Sequence, residues 1–130
     1  MNSNKTFNLI AGGMLAALIA GSAFAHHSAA QFDFGNTVDI TGTVRFVRFA
    51  NPHAKIILEV TDEARGTRDI EYEGHSRNNM IRQGLVPDMF GLGEEITIRI
   101  APMRDGEDGG YITAFVTADG KAVGNITRPD

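Results

Sequence analysis

The sequence predicts an all-β fold: a small five-stranded OB-like Greek-key barrel with one short helix between strands 3 and 4, preceded by a signal peptide. Three observations carry that expectation. Five runs alternate apolar and polar residues at a period of two. The one helical stretch of the mature chain falls after the third run. Glycines interrupt or bound the runs where a closed barrel has to bend. The pattern does not fix closure, so a small open β-sandwich is the alternative.

Residues 1–25 read as the leader. Lys5 supplies a positive charge, Leu9 to Ala20 is a short apolar run, and Ala23-Phe24-Ala25 is a small-x-small cleavage site. The run is about a dozen residues, short of the roughly 20 that a membrane-spanning helix needs. Cleavage after Ala25 leaves one domain, 26–130, with no stable membrane anchor and a periplasmic destination. Lys5 is the only charged residue of the leader, so its removal takes the formal charge from −4 to −5.

The elements of the domain follow in order. Ser28 to Thr37 is a lead-in segment, with Phe32 and Phe34 expected to dock its end and Gly35-Asn36 to turn it. Val38 to Phe49 is the first strand, with Val38, Ile40, Val44 and Phe46 on one face and Gly42 marking a bulge or bend. Val47 and Phe49 break the alternation, which implies a change of face after Phe46. Asn51-Pro52-His53 makes a corner, because proline removes a donor and holds its predecessor extended. Lys55 to Thr61 is the second strand, with Ile56, Leu58 and Val60 inward. Arg65-Gly66 turns the chain into the third, Arg68 to Glu73, with Ile70 and Tyr72 inward. Ser76 is a candidate N-cap for a helix from Arg77 to Gln83, stopped by Gly84. Glu95 to Ala101 is the fourth strand, through Ile96, Ile98 and Ile100. Arg104 to Gly110 is a polar hairpin loop, and Tyr111 to Thr117 is the fifth strand. Ala118 to Asp130 reads as a turn and a weakly ordered tail.

Composition excludes several functions. The acidic balance is wrong for nucleic acid, where lysine and arginine must neutralise phosphates. The chain has no cysteine, which removes disulfides, thiolate metal sites and cysteine nucleophiles.

Four motifs stand in a recognisable order: His26-His27-Ser28 at the mature start, Thr41-Gly42-Thr43-Val44 in the first strand, Asn51-Pro52-His53 at the corner, and Pro102-Met103-Arg104-Asp105-Gly106 before the last hairpin. On them the chain resembles a family of small exported bacterial proteins of unknown function, over about His26 to about Gly120. The resemblance implies a secreted, β-rich domain and brings no activity or cofactor. The chain departs from the family at Gly74-His75-Ser76-Arg77-Asn78, where the family more often has a Gly-Ser-Pro-Asn-like stretch.

The candidate metal ligands are His26, His27, His53 and His75, the four histidines of the chain. Cleavage after Ala25 gives His26 a free α-amine, and an amine with an imidazole on one residue chelates Cu(II) or Ni(II). The amine has a reference pKa near 8 and must lose its proton to bind. His53 or His75 could add a third nitrogen, as in a histidine brace, and nitrogen ligands without thiolate suit copper(II). The plainer readings are a solvated histidine tail, a turn histidine at 53 and a helix-entry histidine at 75. Asp105, Glu107 and Asp108 lack EF-hand spacing and read as a solvated loop tip. Asp69, Glu71 and Glu73 share one strand face and read as exposed. Ser28 and Ser76 adjoin histidines in sequence, which is not triad geometry.

No enzyme is expected. The reading is an exported module binding a divalent metal, copper(II), through its N-terminal histidine. The alternative is a metal-free periplasmic module with a protein partner or small ligand.

Overall fold

A computed structural model of the protein describes residues 29–129. The leader, His26 and His27 lie outside the described residues. Strand β1 (Val38–Arg48) organises the barrel because it serves two neighbours. Its first half runs antiparallel to β4 (Glu95–Pro102), from Val38 opposite Ile100 to Thr43 opposite Glu95. Its second half runs antiparallel to β2 (Lys55–Asp62), ending at Arg48 opposite Lys55. A hairpin leads from β2 into β3 (Gly66–Glu73); Gly66 takes a φ of 73°, which only glycine adopts without strain. Helix α1 (Arg77–Arg82) and a 3₁₀ turn (Pro87–Met89) follow. β4 then pairs with β5 (Gly110–Val116), and β5 meets β3 in parallel at Tyr111 opposite Glu73. That pairing closes the ring β1-β2-β3-β5-β4, and the expected OB-like closed barrel is what the chain forms.

The core follows the period-two pattern. Ile56, Leu58 and Val60 from β2, Ile70 and Tyr72 from β3, and Ile96, Ile98 and Ile100 from β4 are all buried inside. Each fully buried aliphatic side chain contributes about 1.5–3 kcal/mol by leaving water. Helix α1 plugs one end with Met80, and Leu85 beyond it is buried too. Ser76 caps the helix, its Oγ accepting the Asn79 N–H at 3.3 Å, and Gly84 ends it at φ 83°.

Three details of the expected elements need correction. Phe46 does not share the face of Val44. The β1–β2 register shifts between Val44 and Phe46, so the change of face comes before Phe46, which is 41% exposed. Gly42 is not a bulge. It pairs in register with Ile96, and its need for glycine is steric. The tail is packed rather than loose. Strand β6 (Ala122–Val123) pairs with β5, and the buried Ile126 donates its N–H to the Thr113 carbonyl at 2.9 Å. The small Thr113 and Ala114 on β5 leave room for it, which is why β5 is buried almost throughout.

The β3–β5 seam is the thin part of the closure, with one backbone pair. An ion clamp extends it. Asp108, in the hairpin before β5, accepts from Arg68 through both oxygens at 2.6 and 2.8 Å, and Arg68 also holds Asp62 at 2.8 Å. These bonds to Arg68 hold both carboxyls below the usual aspartate range. A depressed carboxyl pKa adds stability that is complete above its unfolded value and fades as pH falls through the folded one. Arg68→Gln is therefore expected to lower the denaturation midpoint at neutral pH. The gap from the parent should close as pH drops below about 4. Urea unfolding followed by circular dichroism across that range measures it; a gap independent of pH would assign the effect to packing.

Candidate functional site

The end of the barrel where the seam closes gathers the polar groups that the surface ion pairs do not explain. The β1–β2 corner, with a cis Asn51–Pro52 peptide, brings His53 there. The end of β3 brings Glu73, the approach to α1 brings His75, and the start of β5 brings Tyr111. Gly74 lets these segments pack closely: a Cβ on it would lie 2.9 Å from the Ala54 Cβ and 3.2 Å from the Met80 Cε. Backbone bonds from Ala54 N–H to the His75 carbonyl (2.9 Å) and from Gly74 N–H to the Ala54 carbonyl (2.7 Å) fix the corner against the end of β3.

The two histidines have opposite tautomers, and their partners decide which. His53 Nδ1 lies 3.0 Å from Glu73 Oε1 and 3.3 Å from the Gly74 carbonyl. Both are acceptors, so Nδ1 carries the proton and neutral His53 keeps its lone pair on Nε2. At His75 the Ser76 backbone N–H points at Nδ1 over 2.6 Å. A backbone N–H can only donate, so Nδ1 is the acceptor and Nε2 carries the proton. Burial lowers the His75 pKa, and the charges of His53 and Arg82 push it further down. Burial raises the Glu73 carboxyl; His53 and Lys55 oppose that and Glu71 reinforces it.

Tyr111 joins this end to the lead-in segment. Its ring centroid is 5.4 Å from Phe32, 5.3 Å from Phe34 and 6.4 Å from His75. Phe32 bridges to Met103, and Asp33 N–H donates to the Pro102 carbonyl at 2.8 Å, so the segment is anchored beside the start of β5. The Tyr111 hydroxyl is buried and has no hydrogen-bond partner among the described residues; the same holds for Asn79 Oδ1. Burial, with Glu73 nearby, raises the Tyr111 pKa.

A family profile, described as a family of unknown function, DUF6152, matches residues 14–113. The chain belongs to DUF6152. The DUF6152 span takes in His26, His27, His53 and His75 and ends within β5 at Thr113. No curated protein matches the chain.

Of the predicted ligands in this DUF6152 chain, His53 and His75 come together, and His26 and His27 lie outside the described residues. Among the described residues, no three or more histidine or acidic side chains form a set that could hold a metal ion. Among them too, no helix is long and apolar enough to cross a membrane. Sequence reasoning missed Glu73 and Tyr111. Glu73 shares its strand period with the exposed Asp69 and Glu71, and only the fold of the corner shows that it ends beside His53. Tyr111 carries no local signal beyond its place after Gly109-Gly110.

Proposed function

We propose that the protein is an exported, periplasmic domain that binds copper(II) through its mature N-terminal histidine, with His53 as a further nitrogen ligand. The observation that carries this is the His53–Glu73 pair. A metal-ligating histidine typically gives its other N–H to a carboxylate, which fixes the tautomer and raises the ligand's basicity. His53 has that arrangement: Nδ1 faces the carboxylate, Nε2 is the nitrogen left for a metal, and the side chain is 41% exposed. Cleavage after Ala25 would supply the α-amine and imidazole of His26. His75 enters as a hydrogen-bond donor rather than a ligand, since its Nε2 carries the proton. His27 is a neighbouring nitrogen that could share the ion.

Calorimetric titration of the mature 26–130 protein with Cu(II) tests the reading. Acetylating the α-amine and making His53→Ala should each weaken binding by more than about tenfold. Equal affinity for the free and acetylated proteins would remove the N-terminal chelate.

A second reading, a metal-free ligand-binding module, is favoured by a cleft of about 410 Å³ between the C-terminal tail and β4–β5. Arg99, Asn125 and Arg128 line it, with Thr37 and Phe34. Its size is within the range of small-molecule sites. A copper titration that stays unsaturable would favour it.

A further inference from the structure

From the distribution of unpaired charge we infer that the α1 end of the barrel is a docking surface for an acidic segment of a partner protein. The chain is acidic overall, with a formal charge of −4. Among the described residues, every lysine and arginine has a carboxylate partner except Arg48, Arg77, Arg82 and Arg128. Three of these share one end. Arg77 opens α1, and its backbone N–H donates to the Ala50 carbonyl at 3.0 Å, two residues from Arg48. Arg82 ends the same helix, about 7.5 Å further along its axis. At the paired ends of β2 and β3, Glu71 is held by Lys55 at 2.9 Å and Glu73 lies 3.0 Å from His53 Nδ1.

Two partly exposed apolar side chains neighbour these arginines along β1 and α1. Phe46 is two residues before Arg48 on β1, and Ile81 is four after Arg77 on α1; they are 41% and 37% exposed. Planar guanidinium forks bind carboxylates through paired hydrogen bonds, and an arginine-rich patch with an aromatic residue is the composition of a binding hot spot. An anionic bilayer fits less well. A protein with net negative charge is repelled by it as a whole, and two half-exposed side chains offer little to insert. A local acidic segment meets only the patch. This inference does not depend on the copper reading.

The test titrates ¹⁵N-labelled metal-free mature protein with a hexaglutamate peptide at low salt. Chemical-shift changes should concentrate at Arg48, Arg77, Arg82 and Ile81. Combining Arg48→Gln, Arg77→Gln and Arg82→Gln should weaken binding at least tenfold, while Arg128→Gln should leave it unchanged. Shifts spread evenly over the surface, or equal binding by the triple variant, would overturn the inference. Tighter binding to phosphatidylcholine–phosphatidylglycerol vesicles than to the peptide would overturn it in favour of a membrane. Copper binding without peptide binding would remove the surface and leave the metal reading standing; the reverse would do the opposite.

Discussion

Tyr111→Ala is expected to destabilise the protein by about 3–5 kcal/mol, whereas Tyr111→Phe is expected to cost nothing or to stabilise it. The two substitutions separate the ring from its hydroxyl. The ring is 1% exposed and packs against Phe32, Phe34 and His75. Its backbone makes the one pairing that closes β5 onto β3. Truncation removes the platform of the lead-in segment and leaves a cavity at the seam. The loss is a large share of the 5–15 kcal/mol typical of such a domain and should lower Tm by at least about 12 °C. The hydroxyl gives up its water on folding and receives no bond among the described residues. A buried unsatisfied group costs about 1–3 kcal/mol, so deleting it recovers part of that. Urea unfolding of both variants decides the matter. A loss above about 1 kcal/mol for Tyr111→Phe would mean that the hydroxyl has a partner such as a buried water.

The same residue shows why the fold was more legible than the site. Inward positions repeat every second residue, so Ile56, Leu58, Ile96, Ile98 and Ile100 announce themselves by alternation alone. Ser76 and Gly84 bracket the helix with local chemistry, one accepting a backbone N–H and the other taking a positive φ. A bulge breaks this logic. A register shift between Val44 and Phe46 turns a side chain outward without changing the apolar count of the strand. The tail misled for a related reason. Ile126 and Val123 make too short a pattern to show a period, and what orders them is the space left over Thr113 and Ala114. The site depends on contacts between residues far apart in the chain. His53 meets Glu73, and Tyr111 meets both Phe32 and His75, through the closure itself. The tautomers, which separate a candidate ligand from a hydrogen-bond donor, are set by single partners that no sequence spacing encodes.

Gly42→Val is expected to cost at least about 3 kcal/mol, at the upper end for overpacking, because the nearest obstacle is backbone. Gly42 stands where β1 passes from one neighbour to the other: its ladder with β4 runs to Thr43, and its ladder with β2 starts there. Both neighbours crowd that point, so β2 passes close over the glycine. A Cβ would lie 2.6 Å from the Glu59 carbonyl oxygen, 3.1 Å from the Leu58 Cβ and 3.1 Å from the Val60 Cγ2. A flexible side-chain tip could swing aside at little cost, but Glu59 O belongs to the ladder itself. Relief requires β1 and β2 to separate at Thr43–Glu59, which pulls Leu58 from the core. Intrinsic strand preference points the other way, since valine is the better strand former. Gly42→Ala isolates the steric part and should lie between the parent and valine, at about 1–3 kcal/mol. Thermal unfolding of the three proteins gives the order directly. If Gly42→Val were as stable as the parent, the close approach of β2 could not be what selects glycine here.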